Sequence, residues 1–169
     1  KPIFESVLPN AVIFDVDGTI ASYAWAKISG PAAVTFGSAT SASTTVSGMT
    51  VAGVYVFRLT IIDNKGAITN DDINVLVNQP PTSNAGDDKN IILPTTTTSL
   101  TGNAVDSDGT IAAYAWTSIN GPATISFGTP SLATTNVSGL TVVGTYIIRL
   151  TVTDNRGAKA TNDVNIIVL

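Results

Sequence analysis

Apolar and polar residues alternate along several short segments of this 169-residue chain. The clearest segment places Tyr146, Ile148, Leu150 and Val152 on one side and more polar residues on the other. A period of two is typical of a β-strand with one buried face. Residues 55–61 repeat the pattern, and Gly, Pro and Ser separate such segments. The pattern predicts short strands joined by turns, and no segment has the periodicity of a helix.

An internal repeat underlies this pattern. Residues 15–77 (the first copy) align without a gap to residues 106–168 (the second copy), and about half of the aligned positions are identical. The shift is 91 positions, so Asp15–Ile20 returns as Asp106–Ile111. A fixed period indicates a duplicated module. Because a catalytic residue has no evident reason to occur twice, the duplication favours a structural or binding array.

The second copy and the residues just before it contain further strand signals. The predicted strands are Asn90–Leu93, Ser99–Val105, a strand with Tyr114 and Trp116, Ala123–Phe127, Thr134–Gly139, and Val164–Val168. Short strands with turn signals every 8–12 residues or so are typical of a Greek-key sandwich. We therefore predict an all-β protein of two Ig-like Greek-key β-sandwich domains in tandem, with about seven strands each.

Paired prolines mark the boundary between the two domains. We predict domains at 1–78 and 87–169, joined by a Pro-rich linker at 79–86. Pro80-Pro81 favours extended polyproline II, so we expect a semi-rigid spacer that holds the sandwiches end to end. The first domain is expected to lack its first edge strand, or to substitute Ile3–Leu8 for it. An open edge invites pairing, so a preceding domain is expected to cover it in a larger protein.

Composition narrows the chemistry that the chain can support. The eight Lys and Arg residues form no cluster and the formal net charge is −4, which argues against a nucleic-acid partner. No apolar run approaches the roughly 20 residues that span a bilayer, so we expect no membrane insertion. His and Cys are both absent, which excludes Ser-His-Asp, Cys-His and His-metal chemistry. Any catalytic or metal-binding chemistry must therefore use carboxylate, hydroxyl or backbone oxygens.

Residues 11–20 resemble the first motif of haloacid-dehalogenase-type phosphatases. In that interpretation Asp15 is the nucleophile and Asp17 the acid/base. The α/β scaffold of that family requires helices, which the sequence does not predict. The second copy also repeats the motif after Gly102–Val105, which is not the apolar core strand that carries such a nucleophile. A phosphatase is therefore the least favoured alternative.

The repeated block resembles the PKD domain, an Ig-like β-sandwich named after the polycystic kidney disease protein. The matching motifs of the second copy and its lead-in are Asn84-Ala85-Gly86, Leu93-Pro94, Asp106–Ile111, Tyr114-Ala115-Trp116, Gly121-Pro122-Ala123, Val137–Leu140, Gly144-Thr145-Tyr146 and Arg149–Ala158. The Trp-x-Phe-Gly-Asp-Gly stretch of many PKD domains is missing. Tyr-Ala-Trp followed by Gly-Pro-Ala takes its place, as in a subgroup common in bacterial surface and secreted proteins and in some animal ectodomains.

The resemblance implies a non-catalytic module within a larger secreted or cell-surface protein, such as a bacterial polymer-degrading hydrolase or adhesin. Such a module acts as a semi-rigid spacer and makes weak contacts with protein or polysaccharide surfaces and with neighbouring domains of the same chain. The same fold hosts spacers, adhesins and binding modules. A carbohydrate-binding module of a polymer-degrading hydrolase is therefore the main alternative.

The Asp-x-Asp-Gly turn has two interpretations. It is either a turn in which Asp side chains bond nearby amides, or a calcium site built from carboxylate and carbonyl oxygens. In the second copy, Asp154 is expected to join Asp106 and Asp108, with a backbone oxygen near Asn84 or Ala85 completing the shell. Some secreted PKD domains similarly bind calcium near the linker. The corresponding candidates in the first copy are Asp15, Asp17 and Asp63.

We expect the remaining conspicuous side chains to have structural roles in the fold. Trp25 and Trp116 could stack on sugars, but each lies mid-strand beside a Tyr on the same face, so we predict burial. Tyr55 and Tyr146 open their strands and are expected to be structural corner tyrosines in the core. Arg58 and its repeat Arg149 are expected to point outward and cover neighbouring Thr residues with their stems.

Overall fold

The computed structural model describes residues 6–7, as backbone, and residues 18–169. It divides the chain into two compact units, Lys1–Asn78 (the first unit) and Gln79–Leu169 (the second unit). The described residues form strands and turns without any helix. The predicted all-β class is confirmed, and it differs from the α/β scaffold of the phosphatase alternative.

The first unit has six described strands in two sheets. They are β1 (Ser6–Val7), β2 (Ile20–Ser29), β3 (Thr35–Phe36), β4 (Thr45–Ser47), β5 (Gly53–Asp63) and β6 (Ile68–Val77). One sheet has the order β2-β5-β6 and the other the order β1-β4-β3. The pairs within both sheets are antiparallel.

The second unit has nine strands. They are β7 (Thr82–Asn84), β8 (Lys89–Ile91), β9 (Thr97–Thr101), β10 (Asn103–Val105), β11 (Ile111–Asn120), β12 (Ser126–Phe127), β13 (Thr134–Ser138), β14 (Gly144–Asp154) and β15 (Lys159–Val168). The larger sheet has the order β11-β14-β15-β8, and β12-β13-β9 forms the second sheet. A separate two-stranded ribbon joins β7 to β10.

The period-two pattern is expressed most clearly in β14. Tyr146, Ile148, Leu150 and Val152 are all fully buried, whereas the residues between them are not. The same alternation buries Tyr55, Phe57, Leu59 and Ile61 in β5. Burial of whole aliphatic and aromatic side chains is worth roughly 1.5–3 kcal/mol each, so these central strands anchor the two cores.

Each core contains one tryptophan at the same repeat position. Trp25 in β2 is 4 % exposed and Trp116 in β11 is 2 % exposed. The indole Nε1 of Trp25 donates to Ser41 O, and that of Trp116 donates to Leu132 O, both at 3.0 Å. The corner tyrosines also match the prediction, since Tyr55 and Tyr146 are buried.

The segment predicted as a linker differs from the structure in part. Thr82–Asn84, within 79–86, form β7 and pair with β10, and Ala85 is buried in the second core. Four residues, Asn78–Pro81, therefore separate β6 from β7. The prediction treated the whole Pro-rich stretch as one spacer, but its second half has partners far along the sequence that composition does not reveal.

One predicted strand is interrupted. Residues 99–105 were expected to be continuous, but β9 ends at Thr101 and β10 starts at Asn103, with buried Gly102 between them. A Cβ at Gly102 would overlap with the side chain of Leu150 and crowd Trp116. The backbone passes too close to the core for any side chain at this point, and the chain changes sheets there.

The two units differ at one edge of the larger sheet. In the second unit β8 pairs in parallel with β15, close to the predicted edge strand at 90–93. In the first unit β6 has β5 as its neighbour, and no other described residue pairs with it. Ser6–Val7, the described part of the proposed substitute Ile3–Leu8, pairs with β4 in the other sheet.

Candidate functional site

The Asp-x-Asp-Gly motif of the second unit lies in the loop between β10 and β11, beside the turn between β14 and β15. Two hydrogen bonds join the loop to the turn. Asn155 N donates to Thr110 O at 2.9 Å, and Thr110 N donates to Asn155 Oδ1 at 3.1 Å. The predicted proximity of Asp154 to the segment Asp106–Gly109 therefore follows from strand order in the sheet.

Asp154 stabilises its own turn. Its Oδ1 accepts hydrogen bonds from the backbone amides of Arg156 and Ala158, both at 2.8 Å, and the residue is 2 % exposed. Gly157 has φ +87°, a left-handed conformation that favours glycine. The first unit repeats this arrangement, because Asp63 Oδ1 accepts from Lys65 N and Ala67 N at 2.8 Å.

Asp106 and Asp108 are partly buried and turned toward the loop interior. Asp108 N donates to Asp106 Oδ1 at 3.3 Å, which is the geometry of an Asp-stabilised turn. The other oxygen of Asp106, Oδ2, and Asp108 Oδ1 are buried without a hydrogen-bond partner. Buried carboxylate oxygens normally have partners, so these two atoms identify the least satisfied point of the described structure.

Arg156 supplies positive charge to this loop. Its Nη1 donates to the Asp108 carbonyl oxygen at 2.7 Å and lies 3.7 Å from Asp108 Oδ2. A Cβ at Gly109 would overlap with Asp106 Oδ2 and Asn155 Oδ1. The loop is therefore packed tightly against the turn, and a side chain at its fourth position would displace the side chains of Asp106 and Asn155.

The loop also binds the start of the second unit. Gln79 N donates to Asp108 Oδ2 at 3.3 Å, and Thr82 Oγ1 donates to Val105 O at 3.1 Å. Asp108 thus contacts the segment that connects the two units. Neither Gln79 nor Arg156 was identified from the sequence. The repeated Asp-Asn-Arg/Lys-Gly turn gave a weak indication of the Arg156 contact. No feature of the sequence indicated the Gln79 contact.

Asn84 does not reach the loop. It is opposite Asn103 in the β7–β10 register, three positions from Asp106, so it lies about 10 Å away along the strand. Its Oδ1 accepts instead from Gly86 N at 2.8 Å. The part of this segment that bonds the loop is Gln79, and a calcium ligand near Asn84 or Ala85 stays a prediction. Asp15 and Asp17 lie outside the described residues.

The predicted calcium ligands fit a cation only in part. Calcium takes six to eight oxygen ligands, and the unpartnered oxygens of Asp106 and Asp108 are suitable donors. Asp154 Oδ1, however, is engaged by the amides of its turn, and Arg156 already brings a cation to the loop. Within the described part of the chain, no group of three or more acidic side chains is arranged to hold a metal ion.

The outer faces of the two larger sheets carry a repeated ion pair. Arg58 Nε and Nη2 donate to the carboxylate of Asp72, each at 2.7 Å. Arg149 and Asp163 form the same two-point contact. The arginines were expected to cover Thr residues, but an Asp lies directly opposite each on the neighbouring strand. The hydrogen bonds from the arginines hold the pKa of both carboxyls below its ordinary value.

Three further observations bear on function. Both tryptophans are buried, so neither presents an indole face to a sugar. Among the described residues, the turn aspartates of both units bond backbone amides, and the Arg and Asp residues of the outer faces bond each other. Across the residues that the structure describes, no helix is long and apolar enough to cross a membrane.

Comparison with known proteins gives two matches to one family. The K319L-like PKD domain family matches residues 5–77 and again residues 85–168. The two matches correspond to the first and second units and support the expected PKD resemblance for both.

The chain is also similar to individual proteins. The chain is similar to the mouse dyslexia-associated protein KIAA0319-like protein, with 34 % identity over 120 residues, which are 69 % of this chain and 11 % of that protein. It is similar to human low-density lipoprotein receptor-related protein 11, with 36 % identity over 90 residues, 53 % of this chain and 18 % of that one. A solved PKD domain from the KIAA 1837 protein is 36 % identical, with a TM-score of 0.46, over 51 % of this chain and 83 % of that one. The chain thus spans a small part of the length of these curated relatives.

Proposed function

We propose, from the premise that the chain belongs to the K319L-like PKD domain family, that its two units are non-catalytic spacer modules of a larger protein. Their role is to separate and orient neighbouring domains. Weak contacts with protein or polysaccharide surfaces accompany this role. The setting we propose is secreted or cell-surface.

One observation carries the proposal: most of the described residues that could serve chemistry serve the fold. Asp63 and Asp154 bond the amides of their own turns, and both tryptophans fill cores. A binding or catalytic site would favour polar groups that converge on an open cleft. Apart from the two unpartnered oxygens of Asp106 and Asp108, the described polar groups named above pair with each other or with the backbone, which supports a structural role.

The connection between the units supports the spacer role. Four residues separate β6 from β7, and two of them are Pro80 and Pro81. Proline fixes φ near −65° or so and limits the conformations of the residue before it. The bond from Gln79 N to Asp108 anchors the connection to the second unit. We expect a short segment with these constraints to keep a more constant direction than a flexible segment does.

The spacer proposal is testable by pulsed electron-spin distance measurements. The chain has no cysteine, so Ala24→Cys and Ala115→Cys give one spin label on an exposed strand position of each unit. We expect a narrow distance distribution, and a broader one after Pro80→Gly and Pro81→Gly. A broad distribution in the parent chain that these substitutions leave unchanged would contradict the spacer role.

The carbohydrate-binding alternative makes a different prediction. Sugar-binding modules present aromatic side chains to solvent, and the tryptophans here are buried. Titration with soluble cellulose, xylan and chitin oligosaccharides should leave tryptophan emission unchanged. Saturable quenching by any one of them would favour the alternative.

A second proposal concerns calcium at the loop of the second unit. We propose that Asp106 Oδ2 and Asp108 Oδ1 are its carboxylate ligands, since both are buried and unpartnered. In this arrangement the guanidinium of Arg156 competes with the ion, because it lies beside Asp108. Removing that charge should therefore strengthen calcium binding.

Calorimetry distinguishes these possibilities. Arg156→Ser should bind calcium more tightly than the parent chain, and Asp108→Asn in the same background should remove the binding. The melting temperature should rise with calcium and fall again with EDTA. If neither the parent chain nor Arg156→Ser binds calcium, the loop is a structural turn alone.

A further inference from the structure

An Asn-Gly dipeptide, Asn120-Gly121, lies at the end of strand β11 in the second unit. It is the single Asn-Gly pair in the sequence, and the first unit has Ser29-Gly30 at the same repeat position. An asparagine before glycine is chemically reactive, because glycine has no side chain to shield its own amide nitrogen. The two units therefore differ in one reactive group, and neither the spacer role nor the calcium loop uses it.

The local geometry brings the two reacting groups of this dipeptide together. Gly121 N donates to Asn120 Oδ1 at 2.9 Å, so the amide nitrogen lies against the side-chain amide of the preceding residue. The β11–β14 register shifts between Ser118 and Asn120, and Asn120 with Ile147 is its last pair. Gly121 lies beyond this ladder, where strand pairing does not fix its peptide plane. Asn120 is exposed, so water reaches it.

The asparagines of the two tight turns are held differently. Asn155 Oδ1 accepts from Thr110 N at 3.1 Å. The amide that follows, Arg156 N, donates to Asp154 Oδ1 at 2.8 Å. Asn64 has the same arrangement in the first unit. In both turns the side-chain amide and the following nitrogen bond different groups, so these bonds must break before the two can react with each other.

We propose that Asn120 is a site of spontaneous covalent modification, in which water replaces the side-chain amide through a cyclic imide formed with Gly121. A base removes the proton of Gly121 N, and this nitrogen attacks Asn120 Cγ. The Cγ–Nδ2 bond breaks, and Nδ2 takes up a proton and leaves as ammonia. Attack within one molecule is strongly favoured when the reacting atoms are held roughly 3–3.5 Å apart.

Water then opens the imide at either of its two carbonyl carbons. Attack at Cγ breaks the bond between Cγ and Gly121 N and leaves an aspartate at position 120. Attack at the main-chain carbonyl carbon breaks the original peptide bond and leaves an isoaspartate, in which the chain continues through Cγ. Both products carry a negative charge where the amide was neutral. The isoaspartate also adds one carbon atom to the backbone.

The added backbone atom lies where the chain is packed closely. A Cβ at Gly121 would overlap with the ring of Tyr146, and a Cβ at Gly144 would crowd Pro122. Gly121 and Pro122 therefore lie against the start of β14. An isoaspartate displaces them from these contacts and destabilises the second unit, whereas the first unit, which has Ser29 at this position, is unaffected. This inference does not depend on the spacer role.

Peptide mapping of the full chain measures the modification. The folded protein is incubated at mildly alkaline pH and digested in acid, and mass spectrometry then distinguishes the acid from the amide. We expect Asn120 to convert at least about tenfold faster than Asn64 and Asn155. The rate should rise with pH, because the attacking nitrogen must lose its proton. Conversion of Asn120 no faster than that of Asn155 would overturn the proposal.

The urea-unfolded chain separates the effect of the fold from that of the dipeptide. Because the folded chain already places Gly121 N against the side-chain amide, conversion of folded Asn120 should be at most about threefold slower than in urea. A slower folded rate would overturn the proposal, since the fold would then protect the site. Asn120→Ser, which introduces the residue of the first copy, should keep the fold and form no acid at this position.

Matched chains test the structural consequence. Chromatography separates the isoaspartate form, and Trp116 emission in a Trp25→Phe background follows the unfolding of the second unit in urea. The isoaspartate form should unfold at a lower urea concentration than the parent chain. Asn120→Asp, which has the charge without the added backbone atom, should unfold close to the parent midpoint. An isoaspartate form as stable as Asn120→Asp would contradict the proposed displacement of Gly121 and Pro122.

Discussion

Arg149 on β14 donates two hydrogen bonds to the carboxylate of Asp163 on β15, at 2.7 and 2.8 Å. The pair lies directly across the strand register and repeats in the first unit between Arg58 and Asp72. Bidentate geometry makes such a pair specific for one register, since a slip by one residue would turn one partner to the other face. The ion pair thus specifies strand alignment, although both partners are about 40 % exposed.

The same ion pairs predict a loss of stability in acid. The folded-state pKa of Asp72 and Asp163 is held below the ordinary value of 3.8 by hydrogen bonds from their arginines. The pKa of Asp88 is lowered by its bonds with Asn165. Because the unfolded chain takes up these protons first, stability should fall as pH drops below about 4 and through the folded pKa values.

Urea unfolding between pH 5 and pH 2.5 measures this effect. The double variant Arg58→Gln and Arg149→Gln should lose less stability over the same range than the parent chain does. Equal acid sensitivity in both chains would show that the ion pairs do not contribute to it.

The corner tyrosines give a second prediction. Tyr146 Oη donates to Val142 O at 3.1 Å, and Tyr55 Oη donates to Val51 O at 2.9 Å. Tyr146→Phe keeps the buried ring and removes one hydrogen bond, so we expect a loss of about 1 kcal/mol in the free energy of unfolding. In a Trp25→Phe background, Trp116 emission follows the second unit alone. Tyr114→Phe is the control, because the Tyr114 hydroxyl makes no hydrogen bond with any described residue, and it should change the free energy of unfolding by less than about 0.5 kcal/mol.

The turn aspartates give a third prediction. Asp154→Ala removes a buried carboxylate that accepts two backbone hydrogen bonds, so it should destabilise the second unit by about 2–3 kcal/mol. Asp63→Ala should cost the first unit less, because Asp63 is more exposed. Chemical denaturation of single-tryptophan chains measures each unit separately. A loss below about 0.5 kcal/mol for Asp154→Ala would indicate that the turn does not depend on this carboxylate.

Tryptophan accessibility gives a fourth prediction. Since Trp25 and Trp116 are at most 4 % exposed, acrylamide should quench native emission several-fold less than emission from the urea-unfolded chain. The two single-tryptophan variants should behave alike. If acrylamide quenched the native emission of either variant as strongly as that of the unfolded chain, its indole would be accessible to solvent, which would favour a sugar-binding surface.

Local and repeated features of the fold could be predicted from the sequence. The alternation in β5 and β14 identified the buried face, and the repeat fixed equivalent positions such as Trp25 and Trp116. These features depend on side chains that lie close together in sequence or recur at one spacing. The corner tyrosines were predictable for the same reason, since each stands at the start of its strand.

Features that depend on long-range register could not be predicted. The sequence did not indicate that Gln79 bonds Asp108 at the loop, because this contact follows from the β7–β10 register. Arg149 was placed correctly on the outer face, yet its partner Asp163 follows from the β14–β15 pairing. Composition does not encode which residues face each other across strands, so these contacts emerge only from the structure.

The central claim is that the chain holds two copies of one sandwich whose larger sheets differ, among the described residues, by the strand β8. Hydrogen exchange of the unaltered chain tests this claim most directly. The amides of Asn165 and Ile167 face β8 and should be protected, whereas those of Asn74 and Leu76 face the side of β6 on which no described residue pairs. We predict at least about tenfold faster exchange at Asn74 and Leu76, with both units folded. Equal protection at the two sets of amides would contradict the difference between the copies.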